Sequence, residues 1–375
     1  MKIVCDNRIP FIKGVLEPWA EVVYLPGKDT TAADVRDADA IITRTRTICD
    51  EALLKGSKVK VIASATIGYD HIDTAWCESA GILWENAPGC NSWSVKQYVT
   101  SVLCTLAQRH GLDLGKMTLG VVGVGNVGSK VAEAAGILGM EVLLNDPPRA
   151  RREGAAGFCS LQEIIERADI ITLHVPLTKE GEDATWHLFD AGRIAAMGKE
   201  RILINSSRGA VVDGDALKAA LASGQLKAAV LDTWEKEPDI DRDLLALLDI
   251  ATPHIAGYSA DGKANGTAAA VHTVSRVLGL PLAGWKPADI PQAPQPAVFT
   301  VDAAGKTCQE VISEAVLHTY DPSGDDALLR NDPAAFESLR GSYPVRREFT
   351  AFSVRLENGT PAGEAALSKL GFKII

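Results

Sequence analysis

The stretch TLGVVGVGNVGSKVAEAAGILGMEVLLND, Thr118 to Asp146, decides how this chain is read. A β-branched run leads into Gly123, Gly125 and Gly128 as G-x-G-x-x-G, a helical spacing follows, and a second apolar run closes on Asp146. Alone, the glycine triplet says little. Set between two strands, at the opening of a helix, with an acid about 20 residues on, it is a dinucleotide fingerprint. The glycines permit a tight turn and close backbone approach, so unpaired N–H groups at the helix N-terminus can face a pyrophosphate. Asn126 and Val127 lie inside the same turn and join the three glycines as cofactor-binding candidates. Asp146 would accept hydrogen bonds from ribose hydroxyls and repel a 2′-phosphate, so NAD is expected rather than NADP, with Arg149 in DPPR as the residue that could accommodate that phosphate. Glycines that merely let strand and helix pack are the lesser account of this arrangement.

Outward from that stretch, KIVCD, EVVYLP, DAIITR, KVIASA and GILWEN alternate with helical spacers on its N-terminal side, the pattern of a parallel sheet. In NSWSVKQYVTSVLCTLAQRHG, Val95, Tyr98, Val99, Val102 and Leu106 recur at helical spacing before Gly111, which reads as a helix joining two lobes. On the C-terminal side DIITLHVP, RILINSS, KAAVLD and DIATPH extend the series to six strand candidates in a doubly wound sheet. PLAGWKPADIPQAPQPA, with its five prolines, reads as an extended linker. Beyond Val298 come VFTVDA, helical TCQEVISEAVLHTY and PAAFESLRG, and the alternating EFTAFSVRL, where Thr350, Phe352, Val354 and Leu356 share one face. The expected fold is therefore α/β, with two Rossmann-like or flavodoxin-like parallel-sheet lobes and a small C-terminal α+β module. The expected domains are a substrate-binding lid over 1–95, rejoined by 256–282, an NAD-binding domain over 96–255, a linker over 283–297 and the terminal module over 298–375. Subunit contact is a stronger reading of that module than a sensor role.

A chain of 375 residues, 46% hydrophobic, is long enough for two or three cores. Its formal charge of −10 argues against nucleic acid as a partner, so an anionic small substrate needs a local cluster of arginines or lysines. MKIVCDNRIP lacks the basic and apolar regions of a signal peptide, and no apolar run approaches membrane-spanning length; a cytoplasmic protein without membrane partners is expected. The seven cysteines are scattered, with no C-x-x-C, and the seven histidines show no metal-site spacing, so no metal is expected.

Arg208 in NSSRGAVVD, Glu237 in DTWEKEP and His254 in TPHIAG each end a later strand candidate. Ligands gather beyond the carboxyl ends of strands in open α/β sheets. Together the three suit oxidation of an alcohol beside a carboxylate. A histidine can take the hydroxyl proton, a carboxylate on its other nitrogen sets the tautomer, and an arginine fork can hold the substrate carboxylate. Singly, each has an ordinary reading as a turn residue, a solvated cap or a surface ion-pair member; their order after the fingerprint favours the joint one. Arg44 and Arg46 flank Thr45 at a predicted strand end, where a phosphate could use them or where they form a solvated loop.

Through GVGNVG, NSSRGAVVD, DTWEKEP and PHIAG the chain resembles the D-isomer-specific 2-hydroxyacid dehydrogenases. ATIGYDHID, APGCN, NDPPR, HIAGYSADGKANGT and YPVRREF carry a narrower resemblance, over nearly the whole chain, to a branch acting on a phosphorylated four-carbon acid in bacterial vitamin B6 synthesis. The resemblance implies that Arg208 and Glu237 are active-site residues and that His254 is the proton donor or acceptor. It implies substrate contacts at Thr45, Thr66 and Tyr258. Asp146, Val175, Ser206, Ser207, Asp232 and Gly257 would help hold NAD, Val175 only through its backbone, since relatives often have a hydroxyl residue there. The implied reaction oxidises 4-phospho-D-erythronate with NAD, in a homodimer formed through the C-terminal domain. Gln97 departs from the pattern, standing where many relatives have a carboxylate. Two alternatives stay open: a 3-phosphoglycerate or other D-2-hydroxyacid dehydrogenase, and an NAD-sensing binding protein, which need not keep proton-transfer groups.

Overall fold

The computed structural model describes residues 1–375, which divide into two compact units, 1–91 with 259–291 and 92–258 with 292–375.

The first unit is built on five parallel strands, β1 (Lys2–Asp6), β2 (Glu21–Leu25), β3 (Ala40–Thr43), β4 (Val61–Ser64) and β5 (Leu83–Glu85), in the order β2-β1-β3-β4-β5. β3 and β4 are buried at every position, as the unbroken apolar runs of a sheet covered on both faces require. The Ala260–Leu278 helix packs on this sheet by means of small residues. A Cβ on Gly266 would lie 2.2 Å from the Ala65 carbonyl oxygen, so only glycine allows the approach.

The second unit holds β6 (Thr118–Val122), β7 (Glu141–Asn145), β8 (Ile170–Leu173), β9 (Ile202–Asn205), β10 (Ala228–Leu231) and β11 (Ile250–Ala251), all parallel, in the order β11-β10-β9-β8-β6-β7. The strand order reverses between β6 and β8, the switch point at which such sheets bind ligands. β11 is only two residues long because Pro253 cannot continue a hydrogen-bonded ladder.

Strands β12 (Val298–Asp302), β13 (Ser353–Glu357) and β14 (Lys373–Ile374) form a third sheet, parallel in both pairings. The expected α+β module is thus sharpened to one in which helices alternate with parallel strands. Thr350 leaves the expected face, because Phe349–Ala351 form a 3-10 turn. Phe349 and Phe352 are three residues apart, which a strand would send to opposite faces; the turn buries both. The Pro322–Asn331 helix was not expected in a stretch opening PSGDD; Asp321 caps it through the Ser323 amide, and Pro322 occupies its first position. The 298–375 module shares one core with the large sheet. Val301, Val311, Ile312 and Val316 pack in the same cluster as Tyr98, Val99 and Val102 of the Ser92–His110 helix. The expected linker is divided, since residues up to 291 belong to the first unit and residues from 292 to the second. All seven cysteines are unpaired, no group of three or more His, Cys, Asp or Glu is arranged to hold a metal ion, and no helix is long and apolar enough to cross a membrane.

Candidate active site

The glycine turn follows β6 directly. Gly123 has φ +87°, and a Cβ there would meet the His174 carbonyl at 2.6 Å; a Cβ on Gly128 would lie 1.9 Å from the Gly123 carbonyl oxygen. Both are required by the fold itself. Gly125 is different: it is exposed, and its added Cβ would meet nothing within 4 Å. Bareness without an internal reason leaves room for a group from outside, the place of the second fingerprint glycine. Asn126 is exposed beside it and Val127 is half-buried. The Gly128–Ile137 helix has no side-chain cap at its N-terminus, whereas Asp190, Asp213 and Asp241 cap later helices of the same unit. The Ser129 and Lys130 amides donate to the Gly125 and Val127 carbonyls, so the positive end of this helix meets an anion through the glycine turn ahead of them.

Asp146 follows β7 and accepts from the amides of Val124 at 2.8 Å and Arg149 at 3.0 Å, which holds its half-buried carboxylate beside the glycine turn. Arg149 does not face outward as a free cation. Its Nε and Nη2 bond to Glu153, its Nη1 bonds to the Val124 carbonyl, and its guanidinium lies over Phe158. Val175, half-buried, follows β8; Ser206 and Ser207 follow β9. Ser207 donates to Asn205, whereas the Ser206 hydroxyl is buried with no partner. An orphaned hydroxyl at this edge of the sheet fits a cofactor that would accept or donate there.

Arg208, Glu237 and His254 follow β9, β10 and β11 at the same carboxyl edge. Glu237 Oε2 lies 2.8 Å from His254 Nδ1, and Glu237 Oε1 accepts the Trp234 amide at 2.9 Å. Burial would raise the Glu237 carboxyl, but the bond to His254 and the field of its ring, with the Trp234 amide, outweigh it and hold the carboxyl below its ordinary value. Arg208 Nη1 donates to the Ser207 carbonyl at 2.9 Å. Its loop lies against the Glu237 loop with no room to spare, since a Cβ on Gly209 would fall 2.0 Å from the Trp234 carbonyl.

His254 adopts φ +56°, a left-handed conformation that costs a non-glycine residue on the order of 1–3 kcal/mol. The surrounding turn is held on every side. Asp232, 1% exposed, accepts from the Thr252 hydroxyl at 2.7 Å and from the amides of Ile255 at 2.7 Å and Ala256 at 3.0 Å. Both of its oxygens are thus bonded to the turn that leads to Gly257. The Thr252 carbonyl accepts from Trp234 Nε1 at 3.0 Å, and its hydroxyl pairs with Tyr98 at 2.7 Å.

In the first unit, Arg44, Thr45 and Arg46 follow β3, with Thr45 and Arg46 exposed and Arg44 half-buried, its Nε 3.7 Å from Asp6. Thr66 follows β4; its hydroxyl bonds to the Gly68 carbonyl at 3.1 Å and pairs with Ser64 at 3.0 Å, and Ser64 reaches the Arg44 carbonyl at 3.2 Å. The structure thus ties the Thr66 and Arg44 loops together.

Two arginines of the terminal module escaped sequence reasoning. Arg340 Nη2 donates to the Tyr258 hydroxyl at 3.3 Å, its guanidinium lies over that ring, and its charge reaches Glu237. Arg346 donates to the carbonyls of Ile255 and Ala256. YPVRREF carries the resemblance, but no local pattern pairs its first arginine with a turn some 90 positions earlier.

The family model described as D-isomer specific 2-hydroxyacid dehydrogenase, NAD binding domain, matches residues 92–256, and one described as Domain of unknown function (DUF3410) matches 293–371. A D-lactate dehydrogenase from Aquifex aeolicus, solved with NAD and lactic acid, is 27% identical with a TM-score of 0.63, over 75% of this chain and 96% of that one. The sheet order, the glycine turn and the Glu237–His254 pair thus belong to an oxidoreductase of the D-2-hydroxyacid dehydrogenase class with an NAD-binding domain, a class that acts on small hydroxy acids. Among curated relatives, the erythronate-4-phosphate dehydrogenase of Bacteroides fragilis is 51% identical over 94% of this chain and 99% of its own length. That of Edwardsiella ictaluri is 44% identical over 99% of both. The chain belongs to the erythronate-4-phosphate dehydrogenase family.

Proposed function

We propose that the chain oxidises 4-phospho-D-erythronate to (R)-3-hydroxy-2-oxo-4-phosphooxybutanoate with NAD, in the synthesis of pyridoxal 5′-phosphate, with His254 as the proton-transfer group. The observation that carries this reading is the 2.8 Å bond between Glu237 and His254 at the sheet edge that also bears the glycine turn. NAD, when bound, accepts a hydride from the carbon that carries the hydroxyl. His254 takes the hydroxyl proton on Nε2, the nitrogen opposite Glu237. Glu237 keeps Nδ1 protonated and stabilises the imidazolium as it forms. Arg208 binds the carboxylate through its planar fork. The 123–128 turn, Asp146, Val175, Ser206, Ser207, Asp232 and Gly257 would hold the cofactor. Thr45, Thr66 and Tyr258 would contact the substrate, and Arg44 and Arg46 its phosphate. A homodimer formed through the C-terminal segment and a cytoplasmic location complete the reading.

The test is NADH absorbance with 4-phosphoerythronate and 3-phosphoglycerate in parallel. Turnover of the first at a kcat/KM at least about tenfold above the second is expected, a preference worth about 1.4 kcal/mol. The reverse preference would make the chain a 3-phosphoglycerate dehydrogenase; NAD binding without turnover of either would make it a sensor.

A further inference from the structure

We infer that the C-terminal segment takes part in the reaction through Arg346, a positioning residue whose guanidinium fixes the turn that presents His254. The inference rests on the proposed role of His254.

Arg346 is 4% exposed, and its Nη2 donates to the carbonyls of Ile255 at 3.1 Å and Ala256 at 2.5 Å. Asp232 accepts the amides of the same two residues. Both residues following the histidine are therefore gripped by buried side chains of opposite charge, one accepting from their N–H groups and the other donating to their carbonyls. That arrangement defines the backbone from which a left-handed His254 departs.

The guanidinium is itself held. It lies 4.5 Å from the centre of the Tyr320 ring and 5.8 Å from that of Tyr343, and the hydroxyls of both tyrosines donate to Asp325, at 2.8 and 2.7 Å. The adjoining residues are pinned to the Ser92–His110 helix, where Gln97 donates to the Arg347 carbonyl at 2.9 Å and Ser94 to Glu348 at 2.9 Å. Tyr98 on that helix meets Thr252 at the other end of the histidine turn. One helix thus anchors both approaches to the turn.

A packing role explains Arg346 poorly. Its Nε and Nη1 are buried without hydrogen-bond partners, a cost that a methionine of similar bulk would avoid. What methionine cannot supply is the pair of bonds to the carbonyls beyond His254. Small displacements of a reacting group carry large kinetic penalties, with about 1 Å worth roughly 100-fold.

The experiment uses the full chain with NAD and 4-phosphoerythronate, comparing R346M and R346K alone and in a His254→Ala background, by single-turnover NADH formation. R346M is expected to lower kcat by about 10- to 100-fold, with KM for NAD changed by less than about twofold. R346K, whose ammonium can still donate to carbonyls, should recover at least about tenfold of that loss. Against His254→Ala, either substitution should cost less than about threefold, because the group being positioned is already gone. A wild-type kcat in R346M, or an undiminished loss in the His254→Ala background, would overturn the inference. Should R346M fail to fold, R346Q, which is shorter and uncharged, is read in both backgrounds by the same criterion. His254→Ala turning over like the wild type would instead strike down the reading of His254, and the inference with it.

Discussion

Glu237 uses one carboxylate oxygen for the Trp234 amide and the other for Nδ1 of His254, 2.8 Å away, so that the ring is oriented by a group itself fixed to the backbone. E237Q keeps the shape but removes the charge that stabilises the imidazolium. Its kcat should fall roughly 10²- to 10³-fold, within the range of general acid–base effects, with KM for NAD little changed. Because its folded carboxyl is held below the ordinary value, Glu237 contributes stability that is fully present above the unfolded pKa and is lost as pH falls through the lower folded pKa. The Tm gap between wild type and E237Q should therefore be largest at neutral pH and close on acidification. A gap that widened in acid would reverse the sign assigned to this carboxylate.

Gly125 and Gly128 should respond to alanine in opposite ways. Gly128→Ala drives a Cβ to 1.9 Å from the Gly123 carbonyl oxygen, so several kcal/mol of stability should be lost, about 2–4. Gly125→Ala meets open space, so its Tm should stay within a few degrees of wild type while KM for NAD rises at least about tenfold. Thermal unfolding and NAD titration of the two variants separate a glycine needed by the fold from one needed by the ligand.

Glu153 engages Arg149, the residue that could otherwise accommodate a 2′-phosphate. Wild type should prefer NAD over NADP by at least about 100-fold in kcat/KM, the scale of a lost charge-assisted hydrogen bond. D146N, which keeps an oxygen for the Arg149 amide, combined with E153A, which frees the Arg149 guanidinium, should narrow that preference by about tenfold or more. An unchanged ratio would remove Asp146 from the ribose site.

Arg44 provides the test of phosphate recognition in the first unit. Its Nε is buried without a hydrogen-bond partner, 3.7 Å from Asp6. R44A should raise KM for 4-phosphoerythronate about 10- to 100-fold while changing the rate with unphosphorylated erythronate less than about threefold. Equal effects on the two substrates would return Arg44 to an ordinary loop.

The fold was legible where patterns are local. Thr118–Asp146 marked the strand, turn and helix, and β-branched runs marked both large sheets, because parallel strands covered on both faces must be apolar throughout. Periodicity alone put Thr350 beside Phe352; the packing of Phe349 against Phe372, rings 4.8 Å apart, draws the chain into a 3-10 turn instead. Pro253 and Gly257 marked a turn around His254, but not its positive φ, which depends on Asp232 and Arg346 acting from 20 or more residues away. Asp232 is visible in the sequence as a cofactor candidate, whereas its three partners in the histidine turn come from the fold alone.

The central claim, that His254 moves the proton as 4-phosphoerythronate is oxidised, is tested most directly by His254→Ala in single-turnover NADH formation with a parallel NAD titration. The expected result is a rate lower by about 10²- to 10⁴-fold with NAD affinity within about twofold of wild type. A rate within about threefold of wild type, at unchanged NAD affinity, would contradict it.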